Sequence, residues 1–247
     1  MNARRHFGPV AEAAVDLIFP RNCVVTGEPV EGGPFRYLGP GAMRNLHLIE
    51  PPLCPACGAP HPGYLAGLER LCAECVQRRP VFSQARALFR YLGSGRALVH
   101  ALKYTRGAWL VPDLRVFLAD QPDFLDFARG CVLVPVPLHK RRERERGFNQ
   151  SLLVARAVAA EAGGSTEVAP LLRRIRNTPT QTRLDRASRL KNVAGAFALA
   201  KGVRPLPERP HIVVDDVLTT GATLSACAAV LLASGVREVR ALALAHG

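Results

Sequence analysis

Two adjacent carboxylates, Asp215 and Asp216, end an apolar run in the stretch HIVVDDVLTTGATLSACAAVL, His211–Leu231. A buried carboxylate is costly unless something pairs with it. A strand that otherwise reads as core therefore carries these two for a ligand. In an open parallel sheet, ligands bind beyond the carboxyl ends of strands, where loop meets helix. The loop that follows, Thr219, Thr220, Gly221, Ala222 and Thr223, is small and hydroxylated. Gly221 lets a ligand approach the backbone closely, and the amides opening the next helix favour a phosphate. Carboxylates repel phosphate, so the acids must face another part of the same ligand. Vicinal sugar hydroxyls suit them, because each carboxylate accepts hydrogen bonds from O–H groups. Acids beside a phosphate cradle imply a ribose 5-phosphate moiety. Neither GxxxxGK[ST] nor GxGxxG occurs, which excludes a P-loop and a dinucleotide fingerprint.

A second set of chemistry-bearing residues lies earlier, in two CxxC pairs: Cys54 with Cys57, and Cys72 with Cys75. One such turn offers two thiolates to one ion, and two turns complete a tetrahedral zinc site. The gap between pairs is slightly shorter than in a typical zinc ribbon but fits a small knuckle. Disulfides are the alternative, disfavoured in a cytoplasmic chain, and a redox CxxC needs only one pair. A region this small and poor in apolar residues needs a staple of this kind to fold. His61, between the pairs, is a substitute ligand, although four thiolates suffice. Cys23, Cys131 and Cys227 read as small buried residues.

The elements that must position these residues follow from the pattern around them. Composition changes near residue 82: before it the chain is rich in Pro, Gly and Cys, and after it apolar segments alternate with turn signals. Strands are expected at 87–93, at the continuous apolar run CVLVPVP (Cys131–Pro137), at AGAFALA, at HIVVDDV and at VREVRALALA. Helices are expected at 95–104, at Asn149–Gly164 with Gly163 as its stop, and at SACAAVLLASG closed by Gly235. Strands and helices in alternation predict a parallel α/β sheet flanked by helices, preceded by a small Cys-rich module. No internal repeat is evident. Arg4 and Arg5 precede an apolar stretch in the manner of a signal peptide, but Glu12 and Asp16 interrupt it and its apolar residues have helical spacing. An amphipathic helix of a cytoplasmic protein is the expectation, with no membrane insertion. Every apolar run is well short of the roughly 20 residues a spanning helix needs.

The chain of 247 residues carries a formal net charge of +13. Much of it falls in HKRRERER (His139–Arg146) and RRIRNTPTQTRLDRASRLK (Arg173–Lys191). Such runs are commonly solvated surface. Two of them near a phosphate cradle point instead to a phosphorylated substrate, a nucleic acid, or both.

The stretch VVDDVLTTGAT resembles the phosphoribosyl-pyrophosphate (PRPP) signature of type I phosphoribosyltransferases. The likeness extends to the ComF family, the ComFC-type competence proteins. LKYTRG (Leu102–Gly107), VPVPLHKRRERERGFNQS (Val134–Ser151), TPTQTRLDRASRLKNVAGAF (Thr178–Phe197) and DDVLTTGAT occur in that family's order, after a cysteine-rich amino-terminal module. The likeness runs from about Cys54 to the end. It implies a type I phosphoribosyltransferase-like (Rossmann-like) parallel sheet over 83–247, with the amino-terminal helix and zinc module in 1–82.

By that resemblance Asp215 and Asp216 would hold the ribose 2- and 3-hydroxyls, and Thr219, Thr220, Gly221, Ala222 and Thr223 the 5-phosphate. Lys103, Tyr104, Arg106 and Gly107 fall where the superfamily keeps its pyrophosphate loop. Gln181, Arg189 and Asn192 stand out in a segment, Arg173–Asn192, that matches a mobile loop closing over the site. Arg142, Arg146, Asn149 and Gln150 form a family-specific set, in which Asn149 reads equally as a helix N-cap and as a binding residue. Mg²⁺ would arrive with PRPP, beside a structural Zn²⁺ at the four cysteines. Family members often carry a further CxxC with a matching pair. Here the first turn is Cys23-Val-Val-Thr26, and its partner pair is missing around GPGAMRNLHL, so one zinc is expected.

The resemblance implies a PRPP-binding, phosphoribosyltransferase-type protein that handles internalised DNA during natural transformation. Any catalysis would be displacement of pyrophosphate from PRPP by an unknown acceptor. A non-catalytic alternative is a single-stranded-DNA-binding or adaptor protein with a regulatory PRPP site. Stacking aromatics are sparse, but Tyr104, Trp109 and Phe148 lie near basic residues. A competence DNA helicase or translocase is the implied protein partner. Purine salvage and amidotransfer fit less well: no glutaminase domain is present, and ordinary salvage enzymes lack the zinc module.

Overall fold

The computed structural model describes residues 21–61, 70–104, 107–176, 193 and 195–247. The expected amino-terminal helix, Arg106, and the positions Gln181, Arg189 and Asn192 lie outside the described residues.

The centre is a five-stranded, all-parallel sheet. Its strands are β1 (Ala85–Arg90), β2 (Val132–Pro135), β3 (Glu167–Val168), β6 (His211–Leu218) and β7 (Val239–His246), in spatial order β1-β7-β6-β2-β3. The apolar run of β2 is buried at all four residues, as a strand covered on both faces requires. Alternation along β6 sends Ile212 and Val214 into one core and Val213 into the other.

Helices cover both faces. On one lie α3 (Gly93–Tyr104), α4 (Val111–Ala119), α5 (Pro122–Ala128) and α7 (Gln150–Ala162), contributing Leu98, Leu118, Phe124 and Val154 to the larger core. On the other lies α8 (Ala222–Ala233), with Leu224, Cys227 and Leu231 buried. The expectation of a parallel sheet flanked by helices, with a small Cys-rich module, is what the structure shows.

AGAFALA forms strand β5 (Phe197–Leu199), but outside this sheet. It pairs antiparallel with β4 (Leu172–Arg174) in a separate two-stranded sheet. Alternation alone does not distinguish a main-sheet strand from such an arm. The basic run after His139 is largely helical, as α6 (Lys140–Arg146). It ends at Gly147, whose φ of 78° is the left-handed conformation that commonly closes a helix.

Order in the sheet fixes where a ligand can lie. The chain leaves β2 through α7 towards β3, and leaves β6 through α8 towards β7, in opposite directions across the sheet. β2 and β6 are adjacent, in register at Val134 with Val213. Their diverging connections open a crevice at the carboxyl ends, the switch point where doubly wound sheets bind ligands.

Two short helices, α1 (Pro40–Arg44) and α2 (Ala73–Gln77), belong to the amino-terminal region. Residues 47–49 run beside β1: the Arg90 N–H donates to His47 O, and the Ile49 N–H to Leu88 O. Asp113 of α4, 1% exposed, accepts hydrogen bonds from the Arg36 and Tyr37 N–H groups at 2.9 and 2.6 Å. Asp113→Ala should therefore cost about 2 kcal/mol by leaving these donors unsatisfied. Asp113→Asn, which keeps one acceptor oxygen, should cost less. Chemical denaturation of both variants checks the order.

Candidate functional site

Asp215 and Asp216 end the buried part of β6 at the crevice. Alternation directs adjacent strand residues to opposite faces, and the two carboxylates meet different partners. Asp216, 4% exposed, lies with Oδ2 at 3.1 Å from Lys103 Nζ in the last turn of α3. Burial opposes the lysine's charge, but the Asp216 carboxylate, with Asp215 behind it, outweighs burial and holds the Lys103 pKa above its ordinary value. Asp215 Oδ1 accepts from the Ser151 hydroxyl at 2.8 Å and from the Asp216 N–H at 2.9 Å. Burial, and then the charge of Asp216, push the Asp215 carboxyl up to about 7. The Ser151 hydroxyl, Lys103 and the Asp216 N–H pull the other way.

The loop Thr219–Thr223 follows directly. Gly221 takes φ 69°, a left-handed conformation open to glycine, and is the N-cap of α8. The Thr220 hydroxyl accepts from the Ala222 N–H at 3.4 Å. Thr219, Thr220 and Thr223 are all partly exposed around this turn. The loop thus leaves first-turn amides of a long helix beside two carboxylates.

Three of the family-specific set, Arg146, Asn149 and Gln150, meet at the start of α7. Asn149 is the N-cap: its Oδ1 accepts from the Ser151 N–H at 3.0 Å, and its Nδ2 donates to Val136 O at 3.0 Å. That clamp ties α7 to the end of β2, and so holds Ser151 against Asp215. Gln150, 4% exposed, accepts from Arg146 Nη1 at 2.8 Å. Arg146 Nη2 donates to the Tyr104 hydroxyl at 3.3 Å, and its guanidinium lies 4.9 Å over the Tyr104 ring. Tyr104, 58% exposed, also packs against His100 at 4.8 Å between ring centroids. Gly107 is required by packing: a Cβ there would stand 2.4 Å from the Phe148 ring and from Leu102 O.

Lys103 and Tyr104 therefore stand close to the acids and to Arg146, from the one turn that ends α3. Arg142 and Arg174 add charge nearby. Burial, and then Arg142, lower the Arg174 guanidinium, while Asp215 opposes them. Ser151 and Arg174 are the members sequence reasoning missed. Ser151 sits two residues after the Asn149 cap and reads as helix-start chemistry. Arg174 is one arginine of a long basic run.

The four cysteine thiols of the CxxC pairs lie within 4.8 Å of one another. Cys57 Sγ and Cys72 Sγ are 3.7 Å apart. Burial and neighbouring sulfurs push the Cys75 thiol up to about 12 and raise Cys57 as well. Backbone N–H groups of Cys57, Cys72 and Ala56 overcome burial at Cys54 and bring it down to about 7. Four thiols this close, two buried and two partly buried, need a cation to ionise together, and such a donor set could hold one zinc ion. His61 is not among these donors; its Nε2 lies 3.3 Å from Leu71 O. Cys23, Cys131 and Cys227 are buried, as expected.

Among curated proteins, the DNA utilization protein YhgH of Salmonella typhi is 34% identical over 193 residues, covering 76% of this chain and 81% of that protein. Competence protein F of Haemophilus influenzae is 27% identical over 215 residues, covering 82% and 93%. The chain belongs to the ComF family. Competence protein ComFC of Bacillus subtilis, at 28% identity over 202 residues, covers 77% of this ComF chain and 76% of its own length. No protein-family model matches. Among solved structures, a purine phosphoribosyltransferase from Pyrococcus horikoshii aligns with a TM-score of 0.32 and 14% identity over 56% of this chain and 74% of that one.

The raised Asp215 carboxyl gives a signed pH dependence. A carboxyl whose folded pKa lies above its unfolded value, about 4, contributes stability below the unfolded pKa and loses it as pH rises through the folded one. The window here runs from about pH 4 to about 7. Asp215→Asn keeps Oδ1 as acceptor for both of its donors and removes the charge. It should raise Tm at pH 8, with the gain shrinking towards pH 5. A gain that does not vary with pH would place the strain elsewhere.

Proposed function

We propose that this ComF-family chain is a PRPP-binding protein of the phosphoribosyltransferase type that serves the handling of internalised DNA in the cytoplasm. The observation that carries the reading is the pair Asp215 and Asp216 at the switch-point crevice, continuous with the left-handed Gly221 and the start of α8. In this reading the carboxylates take the ribose hydroxyls, and the loop Thr219–Thr223 takes the 5-phosphate. Lys103, Tyr104 and Gly107 are then the side for the diphosphate, while Arg106 and the loop residues Gln181, Arg189 and Asn192, which the family resemblance assigns to the same ligand, lie outside the described residues. Residues 1–82 form the amino-terminal module and 83–247 the phosphoribosyltransferase-like domain.

The donor chemistry suits magnesium carried by the ligand. An ammonium 3.1 Å from Asp216 opposes a bare cation at that carboxylate, so an all-protein cage does not fit. Magnesium bound with PRPP would neutralise diphosphate charge. The four thiols at Cys54, Cys57, Cys72 and Cys75 fit a structural zinc. If the protein turns over, the chain's contribution to displacing pyrophosphate is to orient the sugar and exclude water.

Relatives named for DNA utilization and competence support a role in DNA handling. A second reading has an observation of its own. The exposed Tyr104 ring stacked with Arg146, and Trp109 at 57% exposure, make an aromatic and cationic surface suited to unpaired bases. On that reading PRPP is a regulator, and a competence DNA helicase or translocase is the protein partner.

Two measurements separate the readings. PRPP with magnesium, at a hundredfold excess over Kd, should raise Tm by about 5–10 °C. The Asp215→Ala, Asp216→Ala double variant should lose that shift; retention of the shift would remove the ligand assignment. Single-stranded DNA affinity should fall steeply with salt, and Arg146→Ala should weaken it several-fold across sequences. Absent or salt-insensitive binding would discard the second reading.

A further inference from the structure

Ser151 is fully buried in the first turn of α7, and its hydroxyl does not serve that helix. The Asn149 cap takes the Ser151 backbone N–H at 3.0 Å, which leaves the side chain free to reach across to β6. There the hydroxyl donates to Asp215 Oδ1 at 2.8 Å, and the same oxygen accepts the Asp216 N–H at 2.9 Å. A carboxylate oxygen has about two lone-pair sites, so the chain itself fills Oδ1. Among the described residues none donates to Oδ2, and Asp215 is partly exposed at the crevice. The acid is thus held by one oxygen and open at the other. The last torsion of an aspartate is broad and roughly two-fold. Two donors on one oxygen, one from α7 and one from β6, fix it.

The filled oxygen also decides where a proton can go. A protonated carboxyl carries its O–H on one oxygen and accepts at the other. With donors already on Oδ1, the proton of Asp215 must sit on Oδ2. Protonation therefore turns the open oxygen from an acceptor into a donor. Burial, and then the charge of Asp216, bring this carboxyl up to about 7, so the change falls near neutral pH. The groups that face Asp215 are Asp216 on its own strand, Lys103 from α3, Ser151 from α7, Arg174 from β4 and Cys227 from α8. Burial holds the Cys227 thiol neutral. Ser151 is the member that bonds Asp215 directly from another element and carries no charge.

We propose that Ser151 is a positioning residue of the ligand site: by filling Asp215 Oδ1 it offers Oδ2 alone to the ligand, and it makes Oδ2 the oxygen that a proton must take. The proposal rests on the PRPP reading of the two acids. On that reading the ionised Oδ2 accepts a ribose hydroxyl, and affinity falls as pH drops through the Asp215 titration.

Ser151→Ala isolates the contact. It keeps the backbone N–H that the Asn149 cap uses, suits a helix and changes no charge. In ligand-free, full-length protein, a carboxyl ¹³C titration should place the Asp215 midpoint at higher pH in Ser151→Ala than in the parent, because a donor to the charged form is gone. In calorimetry, PRPP with magnesium should bind Ser151→Ala several-fold more weakly than the parent at pH 7. The difference should narrow by pH 9, where Asp215 is ionised in both proteins. The ligand's own phosphates titrate alike against both, so the comparison cancels them. Equal affinities overturn the proposal. So does a loss of the same size at both pH values, which marks a packing effect. If the parent binds no PRPP, the ligand reading falls, and the ¹³C titration decides the rest: a midpoint unmoved by Ser151→Ala overturns the hold of Ser151 on Asp215, and a raised one sustains it.

Discussion

Burying two adjacent carboxylates at the end of the central strand is the constraint on which the site depends. Neither can be left alone there, because desolvation disfavours each charge and each disfavours the other. The chain meets this with partners from opposite sides of the crevice: Lys103 from the end of α3 for Asp216, and Ser151 from the start of α7 for Asp215. Those two contacts fix where both helices must begin or end relative to β6. Asn149 holds α7 to Val136, the first residue beyond β2, and Gly107 lets the chain pass close under Phe148 as it leaves α3. Removing the lysine would leave a buried carboxylate without its cation, a change that commonly costs about 3–5 kcal/mol.

Much of this was legible in the residues. Asp215, Asp216 and Gly221 announced themselves because acids at the end of an apolar run, followed by a small hydroxylated loop, have little use in a core. The strands of the main sheet were legible for the same reason, since burial on both faces writes continuous apolar runs. Ser151 was not legible: a serine two positions after an asparagine N-cap has a local explanation, and its long-range partner depends on β2 and β6 being neighbours. The pairing of Lys103 with Asp216 was hidden likewise. A lysine at the end of an amphipathic helix looks like a solvated charge until the topology brings a carboxylate to it. β5 was correctly read as extended but assigned to the wrong kind of sheet, because alternation does not name the partner strand.

The Cys-rich module packs onto the sheet that carries the acids. Gly58, closing the turn after Cys54, docks where a Cβ would stand 2.6 Å from Ala85 O, at the start of β1. β1 pairs along its length with β7, and β7 with β6, whose far end carries the two acids. Val81 reaches α8, its N–H donating to the Ser225 hydroxyl at 3.3 Å. Phe82 lies with ring atoms 3.5 Å from the position of a Cβ on Gly221. The segment that leaves the cysteine cluster thus packs under the turn that opens α8. The left-handed Gly221 rests against it. The segment leaving the cysteine cluster thus meets the turn that opens α8 through one aromatic ring and one hydrogen bond, and a change in either would be felt at the Thr219–Thr223 backbone.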